Sequence, residues 1–250
     1  MATKQELSSI WVDVKGRLPV KITGNQIKQG ILKPVEIDSF ILGGTIRLLR
    51  EFERNMMAHR ANIAARHYIP PEWTSYVTQP NYEGHISLQY FKSSPIGYDL
   101  STCTLLLAPV RVGQGWSCYA LNIESRTLTV MDPLLKEEGG TIRTKWHEMT
   151  ARKVLQEAMR CFDCVRRVAT EENTRWKVTI QMMPEEKCSV WDTGIYTITC
   201  MRWYAPEVNV SIVTLDERTA YETRKQLAHD LIHMECNRAH LPHRLPTPPQ

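Results

Sequence analysis

The chain has no apolar run approaching the ~20 residues that cross a bilayer, and none that follows a basic start as a signal peptide would. It also lacks charge of one sign. Its 31 Lys+Arg and 27 Asp+Glu leave a net +4 over 250 residues, far short of the clustered positive charge by which phosphate is neutralised in nucleic-acid complexes. A disulfide framework is missing too, because seven cysteines is an odd number, and they are scattered without framework spacing. No internal repeat is detectable, and the only biased stretch is a proline-bearing end. These absences argue against membrane insertion and nucleic-acid binding, and they suit a reducing compartment.

What is present points to a folded protein. Apolar residues make up 42% of the chain, with seven Trp and nine Tyr, enough large side chains for a core. The length is near the limit that one core fills before a chain divides, so a single domain is expected over 20–240, mainly helical over 20–100 and carrying sheet and helices over 101–240. Residues 1–19 are expected to be an N-terminal extension and 241–250 a Pro-rich tail or linker.

Thr23-Gly24-Asn25-Gln26 is a capping box, in which hydroxyl and amide satisfy each other's backbone donors. Beyond Pro34, the spacing of Ile37, Ile41, Leu48, Leu49, Phe52 and Met56, with Phe40, predicts a helix over 35–57 that leaves Arg47, Arg50, Glu51, Glu53 and Arg54 largely on its outer surface. Gly43-Gly44 either weakens this helix or lets another element come close. Residues 66–102 read as irregular, with one short helix near Trp73. Cys103–Ala108, Trp116–Ile123 and Thr127–Met131 predict consecutive strands. A long amphipathic helix follows over 146–168, then a strand over 176–182. A last helix, opened by the capping box Thr214-Leu215-Asp216-Glu217, runs to about Arg238. That order fits an α+β domain with a central sheet and not the strict alternation of a doubly wound fold.

Two passages carry more. Gly115-Trp116-Ser117-Cys118-Tyr119-Ala120-Leu121-Asn122-Ile123 leads to Val130-Met131-Asp132-Pro133-Leu134, and Trp191-Asp192-Thr193-Gly194-Ile195-Tyr196 comes later. With the helices after Gly24 and with Arg224, they resemble the Ulp/SENP cysteine peptidases, including a plant, often transposon-associated, branch. There the first passage reads H-W-x-L-x-V-I before a strand ending in D-S-L or D-P-L, and the second reads Q, a few residues, then D-C-G. The resemblance implies a papain-like architecture, a central mixed sheet flanked by helices, and residence in nucleus or cytosol.

Such a peptidase needs a thiolate, a His to deprotonate it, an acid to orient that His, and an oxyanion donor. Under the resemblance, Gly115 stands where the His belongs, with Gln114 beside it. Thr193 stands in the nucleophile's place, and Lys187 or Glu186 in that of the oxyanion Gln, Gln181 lying too far upstream. Asp132 alone keeps its type. Three replacements in four positions imply a catalytically inactive domain that binds protein, a ubiquitin-like modifier or another partner, through Trp116, Trp191 and Asp132, with no cofactor. The alternative is a divergent peptidase in which Cys188 attacks with a base from elsewhere, such as His147 or a His of the last helix.

Plainer roles stand beside these. Asp132 is also a turn starter before Pro133, and Trp116 and Trp191 are also core candidates. Ile195–Thr199 favours a strand by propensity where the resemblance implies a buried helix, which Asp192 would cap. Cys161-Phe162-Asp163-Cys164 has metal-like spacing but no second pair, so helix-packing cysteines are expected. His229, His233, Cys236, His240 and His243 cluster without the Glu of a zinc-peptidase motif, and a solvated helix end is expected instead of a metal site.

Overall fold

The computed structural model describes residues 2–16, 19–59, 65–91, 98–135, 141–167, 175–181, 188–206 and 215–242. The mixed sheet of the α+β architecture has five strands, β3 (Ala65–Tyr68), β4 (Cys103–Arg111), β5 (Trp116–Asn122), β6 (Thr127–Met131) and β7 (Lys177–Gln181), in that spatial order. β4, β5 and β6 are antiparallel neighbours, while β3 and β7 lie parallel to the strands beside them. The parallel pair β6 and β7 is joined by a helical crossover, α6 (Thr141–Arg166), as a parallel connection requires.

Strand alternation divides the core into two layers. Leu105, Leu107, Trp116, Cys118, Ala120 and Met131 face one way, toward α7 (Thr193–Trp203), α3 (Ser39–His59) and α8 (Glu217–His233). Leu106, Ala108, Val110, Tyr119, Leu121, Leu128 and Val130 face the other. There they meet α6 and two short helices, α4 (Pro71–Val77) and α5 (Gly84–Phe91).

α7 explains how helix prevails over the strand propensity of Ile195–Thr199. Nine of its residues, Thr193 to Met201, are buried, so packing on several sides outweighs β-branching, which costs only tenths of a kcal/mol per residue. Thr199 Oγ1 donates to Ile195 O at 2.9 Å, satisfying its hydroxyl within the helix.

The charge pattern of α3 departs from expectation. Arg47, Arg50, Glu51 and Glu53 are buried, whereas Phe40, Phe52 and Met56 are exposed. The helix starts at Ser39, with Asp38 Oδ1 accepting from Ile41 N, and it is enclosed by neighbours instead of lying on the surface. Its charged side chains therefore serve other backbone groups. Arg50 donates twice to Tyr68 O. Glu51 accepts from Glu235 N and Cys236 N beyond the end of α8, and Glu53 accepts from Arg66 N in β3. Close approach explains Gly43-Gly44: a Cβ at Gly44 would stand 3.0 Å from Ile22 Cδ1, and one at Gly43 2.9 Å from Glu72 Oε1.

Sequence periodicity misses α1 (Lys4–Ser8), β1 (Ile10–Val14), β2 (Val20–Thr23), β3 and α5, and it places α4 near Trp73 and the central strands approximately. The Thr23 box is formed and opens α2 (Gly24–Gly30). α8 is capped by Asp216, whose carboxylate accepts from Thr219 N at 2.7 Å, and it ends at His233, not Arg238; Thr214 lies outside the described residues. The first residues contribute α1 and β1, the latter paired antiparallel with β2. Trp11, Val12 and Val14 are part of the core.

One buried cation ties these layers together. Arg224 of α8, 2% exposed, reaches Asp192 Oδ1 through Nε at 3.0 Å and Nη2 at 2.8 Å. It also donates to the carbonyls of Ile31, Val35 and Trp191. Removing one partner of such a pair strands a buried charge at a cost of about 3–5 kcal/mol. Arg224→Met is expected to lower the thermal midpoint by roughly 10 °C for a chain of this size, as read by calorimetry; an unchanged midpoint would refute the anchoring role.

Candidate functional site

Three elements converge where β5 begins, β6 ends and α7 begins. Thr193 is the first residue of α7 and is fully buried. Its Oγ1 donates to Val190 O at 2.9 Å and accepts from Trp116 N at 3.2 Å. Gly115 lies against it: a Cβ there would meet Thr193 Oγ1 at 3.2 Å and Leu134 Cδ1 at 3.2 Å. Gly115 also has φ +151°, a backbone conformation that residues with side chains rarely adopt. The site holds a hydroxyl with both hydrogen-bonding roles filled, facing a position without an imidazole, where a side chain would be tightly packed and its backbone strained.

Asp132 follows β6 and is fully buried. Its carboxylate is taken up by α6 and by its own turn. Arg143 donates from Nε to Oδ2 and from Nη2 to Oδ1 at 3.1 Å, His147 Nε2 lies 2.6 Å from Oδ2, and Leu134 N donates to Oδ1 at 2.9 Å. Burial acts to raise the Asp132 pKa, but the hydrogen bonds from His147 and Arg143 and the Arg143 charge outweigh it, holding the group below the usual carboxylate value.

His147 is buried in turn, with Nδ1 2.8 Å from the Tyr119 hydroxyl. Burial and the Asp132 charge push the Tyr119 phenol well above its ordinary pKa, so its O–H remains to donate to Nδ1 while Nε2–H donates to Asp132. This tautomer follows from the hydrogen-bond network. The imidazole is thereby spent on a phenol and a carboxylate, on the α6 side of β5. Arg143 and His147 are one helical turn apart, a spacing that puts two side chains on one face and was the available signal for this pairing.

The surrounding scaffold has known counterparts, although no protein-family model and no curated protein matches the chain. The C-terminal Ulp1 protease domain in complex with Smt3, the yeast ortholog of SUMO, aligns with TM-score 0.61 and 12% identity, covering 92% of this chain and 91% of that one. The Ulp1-like SUMO protease catalytic domain of Chaetomium thermophilum aligns with TM-score 0.59 and 14% identity, covering 84% and 78%. A de-sumoylating protease gives TM-score 0.57 and 11% identity, covering 88% and 90%. The chain has the SUMO-protease fold.

Within that fold, the positions assigned by resemblance at Gly115, Asp132 and Thr193 come together at the ends of β5, β6 and α7; Lys187 and Glu186 lie outside the described residues. Asp192 occupies the position before α7, but its carboxylate does not cap the helix. It turns instead to Arg224 and to Ser189 Oγ at 2.6 Å.

Of the residues assigned to binding, only Trp191 offers surface, being 52% exposed. Trp116 is fully buried, donating from Nε1 to Ile37 O at 2.8 Å, and so it packs the core and presents nothing to a partner. Asp132 is enclosed by its own ion pairs.

Cys188 is half-buried, with its Sγ 3.4 Å from Ser189 O. Burial and the nearby Asp192, Cys200 and Asp132 push its thiol up to about 12, the reverse of what a nucleophile needs. His147 is committed elsewhere, and His229 stacks on His233 at 4.2 Å in a groove between α3 and α8. No imidazole among the described residues activates this thiol.

The other cysteine motif divides. Cys161 is buried beside Ser87 and Glu157, with burial pushing its thiol up to about 11, while Cys164 is exposed. The two therefore do not share a buried face. Among the described residues no group of three His, Cys, Asp or Glu side chains is arranged for a metal.

The depressed pKa of Asp132 has a signed consequence. Its contribution to stability is present above the unfolded carboxylate value of roughly 4 and is lost as pH falls through the lower folded value. Asp132→Asn is expected to lose on the order of 3 kcal/mol at pH 7, with the gap to wild type closing below about pH 4. Urea unfolding across that range tests this, and a gap independent of pH would contradict it.

Proposed function

We propose that this chain is a catalytically inactive SUMO-protease-fold domain that works by binding protein, with a ubiquitin-like modifier as the partner class. The observation that carries the first half is the state of Thr193: a buried hydroxyl engaged by Val190 O and Trp116 N, facing Gly115 instead of an imidazole. A threonine hydroxyl is a far weaker acid than a thiol and requires a general base to attack a carbonyl. Residues that act as one catalytic unit lose several orders of magnitude in rate when any member is removed. Here the base and the thiol are both replaced, and the remaining acid is paired with Arg143 and His147.

Support for the partner class comes from the fold and from the surface near the old nucleophile position. The Ulp1 domain named above is seen bound to Smt3. In this chain Trp191 precedes the Asp192-Thr193 turn with half its surface exposed, and its carbonyl is fixed by Arg224 Nη2 at 2.6 Å. An exposed indole on an anchored backbone is the kind of side chain that serves protein interfaces. The reading of Cys188 as a relocated nucleophile has no comparable support, given its raised pKa and lack of a base.

Calorimetric titration with SUMO and with ubiquitin tests this proposal. Binding to at least one is expected, weakened at least tenfold, or about 1.4 kcal/mol, by Trp191→Ala and unaffected by His229→Ala on the far groove. No binding to either would sink the modifier assignment, and binding indifferent to Trp191→Ala would remove the surface assigned to it.

A further inference from the structure

We infer that β7 is a self-pairing edge, through which two copies of this chain join their sheets antiparallel about a two-fold axis at Thr179. Among the described residues β7 is the last strand of the sheet, hydrogen-bonded only to β6 on one side. Lys177, Val178 and Thr179 are exposed. A free edge presents unpaired backbone donors and acceptors, ready to accept another strand.

Beside this edge runs a groove of about 520 Å³ lined by Glu148, Arg152 and Leu155 of α6 and by Trp176, Val178 and Ile180. The groove joins apolar side chains with two exposed, oppositely charged ones. Neither Glu148 nor Arg152 has an ion-pair partner among the described residues.

The commitment to a second copy comes from self-complementarity. Antiparallel pairing centred on Thr179 sets Thr179 against itself, Val178 against Ile180 of the second copy, and Lys177 against Gln181. Both apolar residues lie on the same face of β7 because they are two apart, and no like charges meet across the seam. α6 is the crossover between parallel strands, so it runs antiparallel to β7. Its first turns lie over Ile180 and its later turns over Val178 and Trp176.

The same two-fold therefore brings α6 beside its own copy in the opposite direction. It places Glu148 near Arg152 of the second copy, and Arg152 near that copy's Glu148. An isologous contact requires each patch to complement itself, and one negative and one positive residue on either side of the axis do so. An unrelated extended peptide would satisfy the backbone edge, but nothing on α6 would select its charge. This surface is separate from the Trp191 surface and does not depend on the binding function proposed above.

Sedimentation equilibrium of the full chain from about 1 to 200 µM covers the affinity range of small interfaces. A reversible dimer of twice 28.9 kDa is expected. Arg152→Glu sets like charges across the axis and is expected to weaken the dimer at least tenfold, and Val178→Glu to abolish it. The charge-swapped variant, Glu148→Arg with Arg152→Glu, is expected to regain dimerisation, which distinguishes the contact from a folding defect. A monomer at all concentrations, whether its edge is bare or takes another partner, would overturn the inference. A dimer indifferent to Arg152→Glu or to Val178→Glu would do the same, and failure of the charge swap to restore association would overturn the antiparallel register.

Discussion

The contact between Arg224 and Asp192 ties three separate segments of the fold together. One guanidinium joins α8, the turn that opens α7, and the connection from α2 to α3, through one carboxylate and three carbonyls. Arginine suits this task because its planar fork of donors remains charged when buried and meets several acceptors at fixed angles. Because Asp192 immediately precedes Thr193, the same contact places the N-terminus of α7 against β5. The scaffold around Thr193 is thus held by a structural ion pair.

On the inactive reading proposed above, this ion pair accounts for a fold that persists without the chemistry. Thr193 braces the 190–193 turn to the start of β5. Gly115 lets the two elements approach, and its positive φ follows the tight course of the chain from Val112, whose N–H donates to Gly115 O at 2.9 Å. Asp132 is not idle either. Together with Arg143, His147 and Tyr119 it forms a buried polar network between β5, β6 and α6, in which the carboxylate charge is compensated by hydrogen bonds and a guanidinium. Gly115, Thr193 and Asp132 each have a packing or bracing role.

Much of this was legible in the sequence. The apolar runs at β4, β5 and β6 are short and bounded by Gly, Asn and Asp, and the Thr23 box has one local solution. Gly115, Asp132 and Thr193 were singled out by the resemblance to Ulp/SENP motifs, and the structure puts them at two strand ends and a helix start. What escaped depended on tertiary context. β3 spans four residues and gains its order from β4 and Arg50, which no window along the chain reveals. The charged face of α3 looked external because burial with partners on distant segments cannot be told from solvation by periodicity. Trp116 reads as a core residue more readily than a cleft residue, and its indole N–H on Ile37 O decides for the core. The Asp132–His147 pairing crosses from a strand end to a helix, and only the one-turn spacing of Arg143 and His147 hinted at it.

The central claim, a kept scaffold with a lost site, is tested most directly by incubating the folded protein with ubiquitin-like modifiers that carry a C-terminal electrophile and reading the intact mass. The account predicts that the protein remains at its unmodified 28.9 kDa with every modifier, because Thr193 lacks a base and burial keeps Cys188 a thiol. A covalent adduct at any cysteine, with Cys188 the first to map, would show a competent thiolate and contradict it.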